Sequence, residues 1–517
     1  MPPSYSGDRP PRRFNVARYC IGRAALADPD KFALTVVSDV KAPIDAAERW
    51  TYAGLDEAVR RIGAGLIAQG LLPGDRVMIR LPNGSDYALV FFGAIAAGLV
   101  PIPTSPQLTA DEAAFLLENS GAAALVTTAA MAIPGARLLI DGAMLRRIKT
   151  TTPLPDYADT DAEDPAFLIY TSGTSRRPKG VLHAQRSAWG RRPIYDDWYG
   201  ITKNDVMLHA GAFNWSYTLG AGLTDPWANG ATAILYNGPP DVTVWPRLLA
   251  ATGATLFAAV PSLYRQILKY CDLRQSDLGR LRHGLAAGEA LTPAILAGWR
   301  QATGLEIYEA FGMSECSTFI STKPGTPIRP GSPGKRQHGR IVAVLPQDGG
   351  VTPLPAGETG LLAIHRSDPG LMLGYWRLPE EDALVTRGDW FVGGDLALFD
   401  ADGYVWHRGR ADDVMNAGGY RVSPLEVEAA LAGHPAVAEV AVAESHVRAD
   451  VMAITAFVVL RAGMRPDAEA ILAQAASHLA AYKRPKKVVF VETLPRSPNG
   501  KLLRRALASG RKPDPEV

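Results

Sequence analysis

The sequence predicts an α/β protein: a large N-terminal domain of several subdomains, with α/β sheets plus a β-rich part, followed by a small, mobile α+β domain. Three observations carry that reading. From about residue 50, short apolar runs alternate with amphipathic helical stretches, the rhythm of a largely parallel sheet covered by helices. Between residues 324 and 369 the texture turns Gly/Pro-rich and β-like. Beyond Arg410-Ala411-Asp412-Asp413 about 100 residues remain, enough to fold alone. A charged, Gly-adjacent joint between a large and a small body suggests movement, so the expected domains are 1–411 and 412–517.

At 517 residues the chain exceeds what one core can hold. Apolar content of 47% with 21% charged residues describes an ordinary globular protein. A net charge of +2 leaves no electrostatic footprint for nucleic acid or an anionic membrane. Cys20, Cys271 and Cys316 are too far apart for a zinc spacing or a disulfide framework, as expected in a reducing cytosol. The opening MPPSYSGDRPPRRF holds no signal-type apolar segment, and residues 513–517 carry no lipidation or peroxisomal address. No apolar run reaches the length of a membrane span; 87–100 comes nearest, and Gly93 and Gly98 interrupt it, so it reads as a core helix. The expectation is a cytoplasmic protein with no membrane or nucleic-acid partner.

In chain order, 51–69 has the spacing of an amphipathic helix and 76–81 that of a strand. A helix over 87–97 and a short strand over 100–103 follow. Thr109-Ala110-Asp111-Glu112 is a capping box, its hydroxyl and carboxylate satisfying free N–H groups at a helix start. That helix ends near Gly121, and 123–127 is the next strand. Residues 166–169 form a short apolar strand. Strands at 231–236, 254–260, 283–287 and 306–311 then alternate with helices at 242–252, 262–270 and 292–303. Residues 360–365 are a strand of the β-like region. The C-terminal block reads as helix 424–431, strands 437–443 and 451–459, helix 467–481 and strand 488–492.

The densest chemistry lies at 170–180, YTSGTSRRPKG. Hydroxyls at Tyr170, Thr171, Ser172, Thr174 and Ser175 join Gly173, two arginines and Lys179 just after an apolar strand. Exposed glycine N–H groups, hydroxyl donors and a lysine suit an oligophosphate, although an ordinary polar loop has the same composition. It is not a Walker A loop, because Lys179-Gly180-Val181 inverts the required order. The pairs Gly334-Lys335 and Gly500-Lys501 continue with Arg336 and Leu502 instead of Ser or Thr. Ala287-Gly288-Glu289 and Phe311-Gly312-Met313-Ser314-Glu315 each follow an expected strand, where α/β sheets collect ligands. Glu315 suits Mg²⁺ and Ser314 a phosphate. Asp395, in Gly393-Gly394-Asp395, suits two ribose hydroxyls, with Arg410 as its partner.

YTSGTSRRPKG (170–180), AAGEAL (286–291), YEAFGMSE (308–315), GGD (393–395), GRADDVMNAGGYRVSPLEVE (409–428) and PRSPNGK (495–501) occur in this order. With them the chain resembles the adenylate-forming superfamily of acyl-CoA synthetases, peptide-synthetase adenylation domains and luciferases, from about Asn15 to Arg505. The resemblance implies that a carboxylate attacks the α-phosphate of ATP, giving an acyl-adenylate and pyrophosphate. A thiol, usually CoA, then displaces AMP. By that resemblance the loop with Thr171, Ser172, Gly173, Thr174, Ser175 and Lys179 holds the β- and γ-phosphates, and Glu315 binds Mg²⁺. Phe311, followed by Gly312, lies against adenine, which Gly288 and Glu289 border. Asp395 and Arg410 hold the ribose, while Lys501 bridges carboxylate and α-phosphate oxygens.

The same resemblance implies that the small domain swings about Asp412, withdrawing Lys501 and bringing in Gly418 and Gly419. Backbone without Cβ can approach a pantetheine arm closely, which favours CoA as acceptor. No carrier-protein segment follows, which counts against a peptide-synthetase module; the alternative is a stand-alone adenylation enzyme loading a carrier protein. A nucleotide-binding regulatory relative is the competing class, and the presence of Lys179, Glu315, Asp395 and Lys501 argues against it. A homodimer is a family-level expectation.

Three positions depart from the family pattern. Arg176 stands where the loop usually has glycine, Gly394 replaces a common threonine, and Phe311 replaces a common tyrosine while keeping a stacking face. For the acyl group the lining candidates are Phe213, Asn214, Trp215, Tyr217, Ala286, Ala287 and Gly312. Phe213 and Trp215 suggest a compact, flat pocket for an aromatic or short-to-medium acid, with core packing as the equal alternative. FNVARYC (14–20) resembles benzoate- and medium-chain-type CoA ligases, which points the same way.

Overall fold

The computed structural model describes residues 7–171, 178–411, 413, 415–417, 420–448, 451–479, 481–496 and 502–508. Internal packing divides the chain into two compact units, 1–342 with 364–391, and 343–363 with 392–517.

Three sheets organise the first unit. In the largest, parallel strands run in the order Phe32–Val37, Thr232–Tyr236, Val206–His209, Leu256–Ala259, His283–Ala286 and Ile307–Met313. Antiparallel Glu48–Thr51 closes one side, and Ser317–Ser321 with Gly334–Arg336 extends the other. Leu256–Ala259 and His283–Ala286 are buried throughout, which is why Leu256–Ala259 reads as an unbroken apolar run instead of an alternating one. A second parallel sheet is ordered Val100–Pro103, Arg76–Arg80, Ala124–Thr127, Leu138–Ile140.

Two helices in this unit pack tightly at glycines. A Cβ on Gly93 of Ser85–Ala96 would stand 2.5 Å from Ile62 Cγ2, and one on Gly63 of Tyr52–Ala68 would stand 2.9 Å from the Gly93 oxygen. Ser85–Ala96 is buried at every residue but Asp86, the all-round burial of a core helix. The capping box at Thr109 and Glu112 forms as its sequence predicts. Among the described residues, no helix is long and apolar enough to cross a membrane.

The third sheet departs from the expected parallel rhythm. Pro165–Thr171 pairs antiparallel with Lys179–Ala184, and Gly374–Tyr375 pairs with the other edge of Lys179–Ala184. The two described ends of the 170–180 motif are therefore neighbouring strands, with Thr171 opposite Lys179.

In the second unit, Val437–Arg448 and Val451–Leu460 form an antiparallel pair, and Lys487–Phe490 joins it in parallel. Helices Pro424–Ala432 and Ala468–His478 contribute Val427, Leu431, Ile471 and Ala475 to the core of this sheet. The strand expected over 437–443 runs on to Arg448. Its polar extension is stabilised by cross-strand pairing, including a buried 2.7 Å hydrogen bond between Ser445 and Thr455 hydroxyls. The helix expected over 467–481 stops at His478, because Leu479 turns to extended backbone.

Candidate active site

Ile307–Met313 leaves the sheet and returns as Ser317–Ser321, and Glu315 sits in the turn between them. The return is tight: a Cβ on Gly312 would stand 2.2 Å from the Ser317 carbonyl oxygen, and Ser317 itself takes φ +64°. Two buried ion pairs grip this turn. Arg191, paired with Asp225 at 2.7 Å, donates to Ser317 Oγ. Arg340, paired with Asp368 at 2.9 Å, donates to Cys316 Sγ. His183 Nε2 donates to the Ser314 carbonyl at 2.8 Å; burial lowers this imidazole to about 4, so it is neutral and carries its proton on Nε2.

Glu315 and Lys179 come together at Tyr375. The tyrosine hydroxyl donates to Glu315 Oε1 at 2.8 Å, and Lys179 Nζ lies 5.4 Å from the centre of its ring. Lys179 is itself held by Glu381 Oε2 at 2.6 Å. Among the described residues, no group of three or more His, Cys, Asp or Glu side chains could hold a metal. A cation on Glu315 would draw its other ligands from substrate oxygens and water, which is the usual habit of Mg²⁺.

Among the residues expected to line the acyl pocket, Trp215 packs on Gly288, which takes φ +90° and on which a Cβ would stand 3.1 Å from Trp215 Cη2. Tyr217 lies edge-on to Trp215, with centroids 6.1 Å apart, and stacks on Trp198 at 5.8 Å. Its hydroxyl is 3.5 Å from the carbonyls of Ala259 and Leu285 at the carboxyl ends of their strands. Ala286 and Ala287 are buried nearby in the sequence of the same strand end. Phe213 turns into the main core, 2% exposed and 5.7 Å from Tyr87, while Asn214 sits half-buried in the turn. Phe311 meets Phe319 edge-on at 5.7 Å. The Glu289 carboxylate accepts from Ser262 N and Oγ at 3.1 and 3.0 Å, at the start of helix Pro261–Tyr270, where a negative charge is favoured.

Asp395 and Arg410 belong to the second unit and face each other across paired strands. Arg410 Nη1 is 3.5 Å from Asp395 Oδ2, and His407 Nε2 is 2.9 Å from Oδ1. Gly394 takes φ +86°, and a Cβ there would come within 2.9 Å of Arg410 Nη2, which accounts for glycine at a position where threonine is common. Ser172, Gly173, Thr174, Ser175, Arg176, Asp412, Gly418, Gly419 and Lys501 lie outside the described residues.

Sequence reasoning missed Tyr375, Glu381, His183 and Arg191. None lies in a motif singled out there beyond its edge, and each reaches its partner across a long stretch of chain: 60 residues for Tyr375 and Glu315, 202 for Lys179 and Glu381.

The sequence pattern of the AMP-binding enzyme family matches residues 22–376, and that of the AMP-binding enzyme C-terminal domain matches residues 426–501. Benzoate–CoA ligase of Thauera aromatica is 32% identical over 521 residues, 96% of each chain. The mitochondrial acyl-coenzyme A synthetase ACSM5 of Homo sapiens is 33% identical over 500 residues, 89% of this chain and 84% of that protein. Among solved structures, anthranilate CoA ligase AuaEII in complex with anthranoyl-AMP has a TM-score of 0.86 at 28% identity, covering 97% of this chain and 98% of that one.

Proposed function

This chain belongs to the AMP-binding enzyme family and is an AMP-forming acid–thiol ligase, and from that premise we propose that it joins a small aromatic or short-to-medium carboxylic acid to CoA. The first half-reaction brings a carboxylate against the α-phosphate of ATP, and crowding two anions demands fixed positive charge. The observation that carries this assignment is the Lys179–Tyr375–Glu315 arrangement, a cation and a carboxylate on either side of one tyrosine. Arriving phosphates take Lys179 from Glu381, with Thr171, Ser172, Gly173, Thr174 and Ser175 completing the cradle. Glu315 would hold Mg²⁺, which supplies charge neutralisation to the departing pyrophosphate. Ser314 contacts a phosphate, Phe311 lies against adenine, and Asp395 with Arg410 holds the ribose.

Lys501 bridges the reacting carboxylate and the α-phosphate. The block 412–517 then turns about Asp412, and Gly418 and Gly419 admit the pantetheine arm. Trp215, Tyr217 and Ala287 form the wall of the acyl pocket; the flat aromatic faces of the first two support an aromatic acid, as does likeness to ligases for benzoate and anthranilate. The cytoplasm, where ATP and CoA are available, is the assigned location, and a homodimer the assigned assembly, checked by light scattering of the eluting protein.

The test is incubation with ATP, Mg²⁺, CoA and a panel of carboxylic acids, scoring AMP and acyl-CoA. AMP and CoA ester in equal amounts are expected from at least one aromatic or short-to-medium acid. Release of no AMP from any acid defeats the reading. Adenylate without CoA ester favours transfer to a carrier protein.

A further inference from the structure

His209 ends the strand Val206–His209 at the carboxyl edge of the large sheet and is 4% exposed. Neither of its ring nitrogens has a hydrogen-bond partner. Other buried histidines each use at least one: His183 Nε2 on the Ser314 carbonyl, His283 Nε2 on the Tyr199 carbonyl and His365 Nδ1 on Ser367 Oγ. A neutral imidazole offers one donor and one acceptor, and His209 leaves both unmet, against the strong rule that buried polar groups are satisfied. Thr218 Oγ1, on a residue 1% exposed, is also without a partner.

These unmet groups adjoin each other and the aromatic wall. A Cβ on Gly211 would stand 2.4 Å from Thr218 Oγ1 and 3.1 Å from His209 Nδ1, so only glycine lets the backbone pass this close to both unmet groups. The backbone there is pinned by Asn83, which donates to the Gly211 carbonyl at 2.9 Å and accepts from Phe213 N at 3.1 Å. Tyr217 flanks the pair, its ring 4.6 Å from the His209 ring and nearly perpendicular to it. Trp215 stands beside Tyr217, against Gly288.

The chemistry of the pair restricts what can satisfy it. Desolvation alone lowers the His209 imidazole, to about 3, with no neighbouring charge acting on it. At neutral pH it is therefore an uncharged donor and acceptor. A second carboxylate brought here would be buried without a counter-charge, whereas a hydroxyl or amino group would both give and take a hydrogen bond.

Resting on the acid–CoA ligase reading, we propose that His209 and Thr218 are a polar specificity pair in the acyl pocket. They select acids carrying a neutral hydroxyl or amino substituent over the unsubstituted acid and over dicarboxylates.

The full-length wild-type protein and its His209→Leu and Thr218→Val variants are assayed with ATP, Mg²⁺ and CoA. The acids are benzoate, the three monohydroxybenzoates, the three aminobenzoates and the three benzenedicarboxylates, with butyrate and 3-hydroxybutyrate as the aliphatic pair. The readout is kcat/KM for AMP release with the best substituted acid, divided by that for its unsubstituted parent. A site built to hydrogen-bond a substituent discriminates strongly against the analogue that lacks it, so a wild-type ratio of at least about tenfold is expected. Both variants should bring that ratio close to one, and dicarboxylates should be the poorest acids for the wild type. Thr218→Val is nearly isosteric and keeps the test decisive if His209→Leu does not fold. A wild-type ratio near or below one, or a high ratio that Thr218→Val leaves in place, overturns the proposal while AMP release upholds the ligase. Absence of AMP with every acid removes both.

Discussion

Burial leaves the Glu309 carboxyl with a 3.0 Å hydrogen bond from Leu291 N and lifts it from an ordinary 4.5 to about 8. Its folded pKa lies above its unfolded one, so the folded protein holds the extra proton between those values. The stability this group contributes is full below about pH 4.5 and is lost as pH rises through about 8. A shift of this size corresponds to roughly 5 kcal/mol once ionisation is complete. Glu309→Gln should therefore resist urea better than wild type at pH 8, with the gap closing towards pH 5. Parallel pH dependences of the two urea midpoints would count against the burial argument.

A second residue-scale prediction concerns Lys179, whose 2.6 Å ion pair with Glu381 would compete with the phosphates it is proposed to hold. The pair is partly exposed, which limits it to about 0.5–1 kcal/mol. Glu381→Gln should lower the KM for ATP by about two- to fivefold in pyrophosphate exchange, with kcat little changed. An unchanged or raised KM argues that Glu381 positions the lysine instead of competing for it. Lys179 and Glu315 were legible in the sequence because a cation and a carboxylate stand beside glycines just past apolar strands. Tyr375 and Glu381 were not, since only folding brings them to those partners.

At the scale of elements, legibility followed periodicity. Tyr52–Ala68, Pro293–Thr303 and parallel strands such as Leu256–Ala259 were readable from helical spacing or continuous apolar runs, whereas the short strands Leu138–Ile140 and Val206–His209 were not read. Two further signals were passed over. Phe32–Val37 is as apolar as its neighbours, and Lys179–Ala184 hides as a strand because it begins inside a polar motif. The hairpin around Glu315 was read only as a strand with a loop, although Gly312 marks the point where its two backbones meet. There the missing Cβ is structural: with 2.2 Å to the Ser317 oxygen, Gly312→Ala must force the hairpin open and shift Glu315. A displacement of that kind should cost about 10² in adenylation rate. Measurement of pyrophosphate exchange beside a thermal melt separates the site effect from general unfolding; an exchange rate within about threefold of wild type would show that the turn absorbs the methyl group.

At the scale of the whole molecule, one chain must serve two chemistries, expelling pyrophosphate in the first half-reaction and AMP in the second. The α+β character of the C-terminal block was legible because its helices and strands share a core around Val427, Leu431, Val442 and Ile471, while the compact unit it belongs to also takes in 343–363 and 392–411. The motion proposed for it has a different ground: Lys501 and the Gly418–Gly419 pair stand in one small block, and the proposed cycle uses each in a different half-reaction. The two functions can be separated experimentally. Lys501→Ala should lower acid-dependent pyrophosphate exchange by about 10²–10³, the worth of one charged contact to the adenylation transition state. Supplied with synthetic acyl-adenylate and CoA, the same variant should form thioester at close to the wild-type rate, because the proposed rotation withdraws the lysine in that half. The reverse pattern is expected of Gly419→Leu, where a bulky side chain obstructs the pantetheine approach and leaves exchange intact. Equal losses in both half-reactions for both variants would mean that a single arrangement performs both steps, and rotation about Asp412 would have no part in the cycle.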